Sequence, residues 1–147
     1  EMLALAGQPD ADVEAALADG RAMDSWRAMI LAQGGDPDAE LPAPRETHTV
    51  TAPRAGVVTR MEALPFGVAA WRLGAGRARA EDPVIHAAGI DLHVKPGDSV
   101  AAGAPLFTLS AQDAARFPRA LDALENAWEI GDAELSRTPI VLERITA

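Results

Sequence analysis

Residues 90–109, IDLHVKPGDSVAAGAPLFTL, decide the fold of this chain. Apolar and polar side chains alternate over residues 90–94, which is typical of a half-buried β-strand. The cluster KPGD follows at residues 95–98, and proline before glycine favours a tight turn in which the glycine takes a positive φ. After a corner at Gly103, the apolar run at residues 105–109 predicts a second strand. We therefore expect a compact β hairpin whose valines and leucines point inward.

On the C-terminal side of this hairpin, the sequence becomes helical. Pro118 is suited to the start of a helix, and Leu121, Leu124 and Trp128 are spaced to line one face of it. Gly131 and the following aspartate predict its end. The apolar residues 139–145 predict a final strand.

On the N-terminal side, two strands and a helix are predicted before the hairpin. Alternation predicts strands at residues 48–52 and 56–61. Pro65 favours a helix start, and Gly74 closes the helical stripe that follows. That stripe consists of Phe66, Ala69, Ala70 and Leu73. Residues 74–83, GAGRARAEDP, form what we call the glycine–arginine loop.

The first 45 residues have a different, helical character. Residues 1–6 are typical of the end of a helix, so we expect the chain to be part of a longer protein. Residues 9–12, PDAD, offer an N-cap for a short helix that ends at Gly20, and a second helix stops at Gly34. The proline-punctuated residues 36–47 predict an extended connector, which places a domain boundary near Arg45, between residues 1–45 and 46–147.

These elements predict an α+β fold, with a short helical segment followed by a domain built on a partly closed antiparallel sheet. At 147 residues and 48% hydrophobic composition, the chain can bury a core. It contains no apolar run long enough to span a membrane. Cysteine is absent, which excludes disulfides and cysteine-ligated metals and is consistent with a cytoplasmic location.

The charge of the chain argues against some classes of partner and suggests another class. The net charge of −9 argues against nucleic acid or an anionic membrane as the main partner. Between Arg54 and Arg79 the balance reverses, with five arginines against Glu62 alone. Such a local positive patch is suited to an anion, although a solvated face is the commoner explanation.

Three candidate chemistries are weak as isolated motifs. Lys95 would be the modified lysine of a swinging-arm carrier, but it lies in the wrong turn of the pattern that biotinyl and lipoyl modules share. Of the candidate metal ligands His86, Asp91 and His93, strand alternation places Asp91 and His93 on one face, and two residues on one strand make at most half a metal site. In the glycine–arginine loop, backbone amides and guanidiniums could approach a phosphate, yet the glycine spacing is not that of a dinucleotide-binding motif. No complete catalytic constellation is present, so no catalytic residue is assigned.

Several motifs in order resemble the C-terminal part of the thymidine and pyrimidine-nucleoside phosphorylase family. They are QGGDP at residues 33–37, AGVV at 55–58, LGAGR at 73–77, DPVIHAAGI at 82–90, GD at 97–98 and GAPL at 103–106. The resemblance implies a helical remnant of the family's large α/β domain at the N-terminus. Residues 46–147 would then be its C-terminal α/β-hammerhead domain, with a barrel-sandwich-like arrangement.

The resemblance also implies a function for the longer protein. Family members bind phosphate and a pyrimidine nucleoside in a cleft, release the free base and are expected to be homodimers without cofactor or metal. The loop containing Gly74, Gly76, Arg77 and Arg79 resembles the family loop beside that cleft, and these residues would support closure rather than catalysis. Thymidine is the expected substrate, and this chain alone is expected to be inactive. Uridine-accepting and AMP-type phosphorylases, a stand-alone carrier module of the biotinyl or lipoyl type and a purely structural domain stay open as alternatives.

Overall fold

A computed structural model describes residues 1–133, 135 and 139–145 of the chain. The chain divides into two compact units, Glu1–Leu41 and Pro42–Ala147. No helix in the described ranges has both the length and the apolar character that crossing a bilayer requires.

The first unit contains three helices, α1 Met2–Leu5, α2 Val13–Ala18 and α3 Arg21–Ala32. The predicted cap is confirmed, because Oδ1 of Asp12 accepts a hydrogen bond from the backbone N–H of Ala15 at 2.8 Å. Helix α3 ends where expected, just before Gly34, whose φ is +78°.

The described residues of the second unit form two three-stranded antiparallel sheets. Its strands are β1 Glu46–Thr51, β2 Gly56–Met61, β3 Gly89–Leu92, β4 Ser99–Val100, β5 Pro105–Ala111 and β6 Trp128–Gly131. Their order is β1-β5-β3 in one sheet and β4-β2-β6 in the other. The α+β prediction is confirmed, and these sheets do not close into a barrel.

Helices of this unit cover the strands. Helix α4 spans Ala63–Ala70 and continues as a π-helical turn at Trp71–Ala75. A 3-10 turn at Ala114–Arg116 leads into α5 at Phe117–Leu124. The π-helical turn ends at the glycine–arginine loop, so the loop's position follows from the end of α4.

The predicted hairpin is present, and its connection also joins the second sheet. Strands β3 and β5 pair antiparallel, with Leu92 opposite Phe107. Gly97 has the expected positive φ of +94°, and the N–H of Asp98 donates to the carbonyl of Lys95 at 3.0 Å. Between the two strands, β4 pairs with β2. This single stretch therefore supplies strands to both sheets.

Buried apolar side chains from both sheets and both helices form the core. Phe107 is fully buried and packs edge-on against Phe66 of α4, with 5.1 Å between ring centroids, and against Trp128 of β6 at 6.2 Å. The largest fully buried side chains are Phe107, Leu73, Leu106, Leu109, Leu124 and Val58. Three of the four predicted helix-face residues, Phe66, Ala69 and Leu73, belong to this core.

Two sequence predictions are wrong. Trp128 does not continue the face of α5, because the helix ends at Leu124 and Trp128 begins β6, opposite Met61 of β2. Residues 139–145 form no strand: Ile140, Leu142 and Ile145 are exposed, and no described strand pairs with them. An apolar run without a partner strand leaves its backbone groups to water and does not form a ladder.

Candidate functional site

Gly74 sets the path of the chain into the glycine–arginine loop. It is buried, has a φ of +116° and lies inside the π-helical turn. A Cβ atom there would lie 2.7 Å from Cδ1 of Ile85, and the Gly74 carbonyl accepts the N–H of Ile85 at 2.9 Å. Only glycine meets both the backbone and the packing requirement. The base of the loop is therefore closed by a direct backbone hydrogen bond.

Gly76 and Trp71 hold the next part of the loop. A Cβ atom on Gly76 would lie 2.8 Å from the indole Cδ1 of Trp71. The indole Nε1 donates to the backbone carbonyl of Arg77 at 3.1 Å. The glycine thus lets the backbone pass close to the indole ring, and the ring fixes the carbonyl of the following residue.

The two predicted loop arginines extend into solvent from a held backbone. Arg77 and Arg79 are both exposed. Nη1 of Arg77 donates to the carbonyl of Ala80 at 3.2 Å, and the N–H of Arg79 donates to Oδ2 of Asp82 at 2.8 Å. Neither guanidinium forms an ion pair within the part of the chain that the structure describes. Both charges remain accessible to a partner group.

A cavity of about 430 Å³ lies under this loop, between it and α5. Its lining residues are Trp71, Arg72, Gly74, Gly76, Ala78, Asp82, Pro83, Ile85, Arg116 and Arg119. Two of the four predicted site residues, Gly74 and Gly76, are in this wall, and Arg77 and Arg79 are not.

Three arginines of this wall come from different elements. Nη1 of Arg72 donates to the backbone carbonyl of Arg119 at 2.6 Å. Nη1 of Arg116 approaches the carbonyl of Arg72 at 3.4 Å. These contacts join the π-helical turn to the 3-10 turn and α5. Sequence reasoning missed Arg116 and Arg119 because they lie about forty residues from the loop, and no local motif connects them to it.

The five arginines between Arg54 and Arg79 lie at two different places in the structure. Arg54 forms an ion pair with Asp132 at 2.7 Å, and Arg60 contacts Glu129 at 3.6 Å. Arg60 also forms an ion pair with Glu62 at 2.5 Å, so both charges are compensated by nearby carboxylates. Of the five arginines, the three that follow α4 lie at the loop and its cavity.

The other sequence candidates lie elsewhere in the second unit. Nε2 of His93 is 2.8 Å from Oγ1 of Thr108, and Asp91 lies opposite that threonine in the β3–β5 ladder. The described residues contain no group of three histidines or carboxylates able to hold a metal. Lys95 is exposed, and its backbone N–H donates to Oδ2 of Asp98 at 2.8 Å.

Residues 57–131 match the family model described as the pyrimidine nucleoside phosphorylase C-terminal domain. The matched range extends from β2 to β6 and includes the whole glycine–arginine loop and the cavity. The chain belongs to the pyrimidine nucleoside phosphorylase family.

Similarity to curated proteins extends beyond the matched domain. The thymidine phosphorylases of two Mycobacterium tuberculosis strains, CDC 1551 / Oshkosh and ATCC 25618 / H37Rv, are each 43% identical to this chain over 145 residues. The alignment covers 99% of this chain and 34% of each relative. The chain thus spans about a third of the length of the curated relatives that it matches. The similarity includes the helical unit as well as the C-terminal phosphorylase domain.

Proposed function

We propose that this chain is the C-terminal part of a thymidine phosphorylase, and that its glycine–arginine loop helps to close the substrate cleft. The observation that carries the proposal is the 43% identity over 99% of the chain to thymidine phosphorylases. In this reaction, phosphate attacks the anomeric carbon of thymidine. The bond from that carbon to the base breaks, and its electron pair leaves with the base. The products are thymine, after proton uptake, and 2-deoxyribose 1-phosphate.

The proposal assigns residues 1–45 to the large domain of that enzyme and residues 46–147 to its C-terminal domain. It also places the enzyme in the cytoplasm as a homodimer. The composition without cysteine supports this location. Phosphate and the nucleoside are its substrates, and neither a metal nor a cofactor takes part.

The chemistry explains why a loop outside the reacting groups would affect the rate. Phosphorolysis proceeds through a cationic, oxocarbenium-like sugar and requires phosphate to be held against it. Closure of a loop fixes that geometry and excludes water. The loop is suited to this role because its backbone is held by Trp71 and Asp82, while Arg77 and Arg79 keep their charges free for a partner surface.

Alanine substitutions of the loop arginines in the longer protein that carries this chain test the proposal. Arg77→Ala and Arg79→Ala remove the guanidiniums but keep the backbone groups that bond Trp71 and Asp82. We expect each variant to lower kcat/KM for thymidine phosphorolysis by about tenfold, since weaker closure reduces positioning of the reactants. The exposed Arg45 provides the control, and Arg45→Gln should keep the unmodified rate.

The assay has outcomes that separate the loop's role from the activity. Thymine release by the unmodified protein together with unchanged kinetics in both alanine variants would contradict the closure role alone. Absence of thymidine phosphorolysis in the unmodified protein would contradict the proposed enzyme. In that case, parallel assays with uridine and AMP show whether a related phosphorylase activity is present.

A further inference from the structure

The cavity beneath the loop is positively charged in an acidic protein. Arg72, Arg116 and Arg119 face one carboxylate, Asp82, among its lining residues. Oδ2 of Asp82 already accepts the backbone N–H of Arg79. None of the three arginines forms an ion pair with another described residue. The wall therefore carries a local positive charge in a chain whose net charge is −9.

Arg72 presents a bidentate edge to which no described residue supplies an acceptor. Its Nη1 donates to the carbonyl of Arg119, whereas its Nε is buried and has no hydrogen-bond partner among the described residues. The Nε–H and the adjacent Nη2–H lie on one edge of the planar guanidinium. Their spacing matches two oxygens of a phosphate or carboxylate. A buried N–H without an acceptor is costly. Because Nε has almost no accessible surface, the side chain must turn to bring this edge to an oxyanion in the cavity, and binding then supplies the acceptor that the N–H lacks.

Arg116 and Arg119 add two exposed guanidiniums to the half-buried guanidinium of Arg72. Both side chains are exposed, and the side chain of Arg119 makes no hydrogen bond that involves another described residue. Its position is fixed through its backbone, whose carbonyl binds Arg72. The arrangement thus combines the half-buried guanidinium of Arg72 with two exposed ones, of which that of Arg116 also contacts the carbonyl of Arg72 at 3.4 Å.

Apolar side chains line another part of the cavity, and the cavity is larger than a bare anion requires. Trp71, Pro83 and Ile85 line it, and the indole of Trp71 is held by its hydrogen bond to the carbonyl of Arg77. The volume of about 430 Å³ falls within the range of roughly 300–1,000 Å³ that is usual for small-molecule sites. An organic group next to the anion would find a contact surface here.

We propose that this cavity binds a phosphate monoester of a small organic molecule. The three arginines hold the phosphate, with the Nε edge of Arg72 as its anchor, and Trp71 and Ile85 contact the organic group. The site lies wholly within the second unit. The proposal does not depend on the phosphorolysis of thymidine, because no step of that reaction is assigned to the cavity.

Isothermal titration calorimetry of the 147-residue chain with phenyl phosphate at low ionic strength tests the proposal. We expect saturable binding with one site per chain. Arg119→Gln should weaken binding by about tenfold or more, since it removes hydrogen bonds between charged groups and its side chain forms no hydrogen bond or ion pair with another described residue. The matched control, Arg45→Gln, lowers the net charge by the same amount at an exposed residue that does not line the cavity, and it should leave the affinity unchanged.

Two further measurements test the anchor and the organic group. Arg72→Lys keeps the charge but loses the planar fork, so phenyl phosphate should bind at least tenfold more weakly to a variant that circular dichroism shows to be folded. Inorganic phosphate should bind the unmodified chain more weakly than phenyl phosphate does, because it lacks the ring.

Three outcomes would overturn the proposal. They are no saturable binding of phenyl phosphate to the folded chain, equal weakening by Arg45→Gln and Arg119→Gln, and inorganic phosphate that binds as tightly as phenyl phosphate. The second would indicate general charge attraction, and the third would remove the organic group from the ligand.

Discussion

A single glycine determines where the arginines of the loop can be placed. Gly74 combines a positive φ with contact to Ile85, and it lies between the core residue Leu73 and the loop. Its conformation turns the chain away from the axis of α4. A residue that carries no functional group therefore positions the charged groups that follow it.

Replacing Gly74 with alanine should destabilise the second unit. An alanine held at this φ costs about 1–3 kcal/mol, and its Cβ would lie 2.7 Å from Cδ1 of Ile85. We expect the free energy of unfolding, measured by urea denaturation, to fall by at least that strain cost. Gly67 provides the matched control, because it lies within α4 and a Cβ there meets nothing within 4 Å. Gly67→Ala should stabilise the chain by about 0.5–1 kcal/mol. Equal effects of the two substitutions would contradict this account of Gly74.

The sequence predicts the residues of the loop but not all the residues that line the cavity. Gly74, Gly76, Arg77 and Arg79 are visible as a local motif, since two glycines and two arginines fall within six positions. Arg119 gives no such signal, because arginine is a common residue on an exposed helix face. It becomes a wall of the cavity only when α5 packs beside the π-helical turn.

Among the elements, β5 has the central position. It pairs with β1 on one side and β3 on the other, and most of its side chains are buried. Its sequence, PLFTLSA, was recognisable as a strand because a short apolar run bounded by turn residues is typical of a buried one. By contrast, the sequence predicts that WEIG of β6 lies at the end of a helix. Leu121, Leu124 and Trp128 fit helical spacing, and pairing with β2 overrides that local preference.

Truncation of Phe107 tests the importance of β5 for the fold. Phe107→Ala removes a fully buried ring that packs against Phe66 and Trp128, and such truncations cost about 3–5 kcal/mol. Its ladder partner Leu92 is 54% exposed, so Leu92→Ala should cost about 0.5 kcal/mol. Urea denaturation of the two variants measures the difference. A loss below about 1 kcal/mol for Phe107→Ala would show that the core does not depend on this strand.

At the scale of the whole molecule, charge distribution limits what the chain does by itself. An acidic protein that collects arginines at one cavity is suited to an anion, and the proposed reaction also needs a site for a developing cation. The oxocarbenium-like sugar would be repelled by the guanidiniums of Arg72, Arg116 and Arg119. The cavity therefore fits a phosphate-bearing ligand and does not fit the reacting sugar.

The 147-residue chain should accordingly release no thymine from thymidine and phosphate. Catalysis requires both reactants to be held in one geometry, and the chain spans only about a third of the thymidine phosphorylases to which it is similar. The change in ultraviolet absorbance between thymidine and thymine measures the reaction, with a full-length Mycobacterium tuberculosis thymidine phosphorylase as the positive control. Thymine release by this chain that is lost in Arg119→Gln would place the reaction in the cavity itself. That result would contradict the inference that the cavity beneath the loop only binds an anion and that the proposed reaction takes place elsewhere in the longer protein.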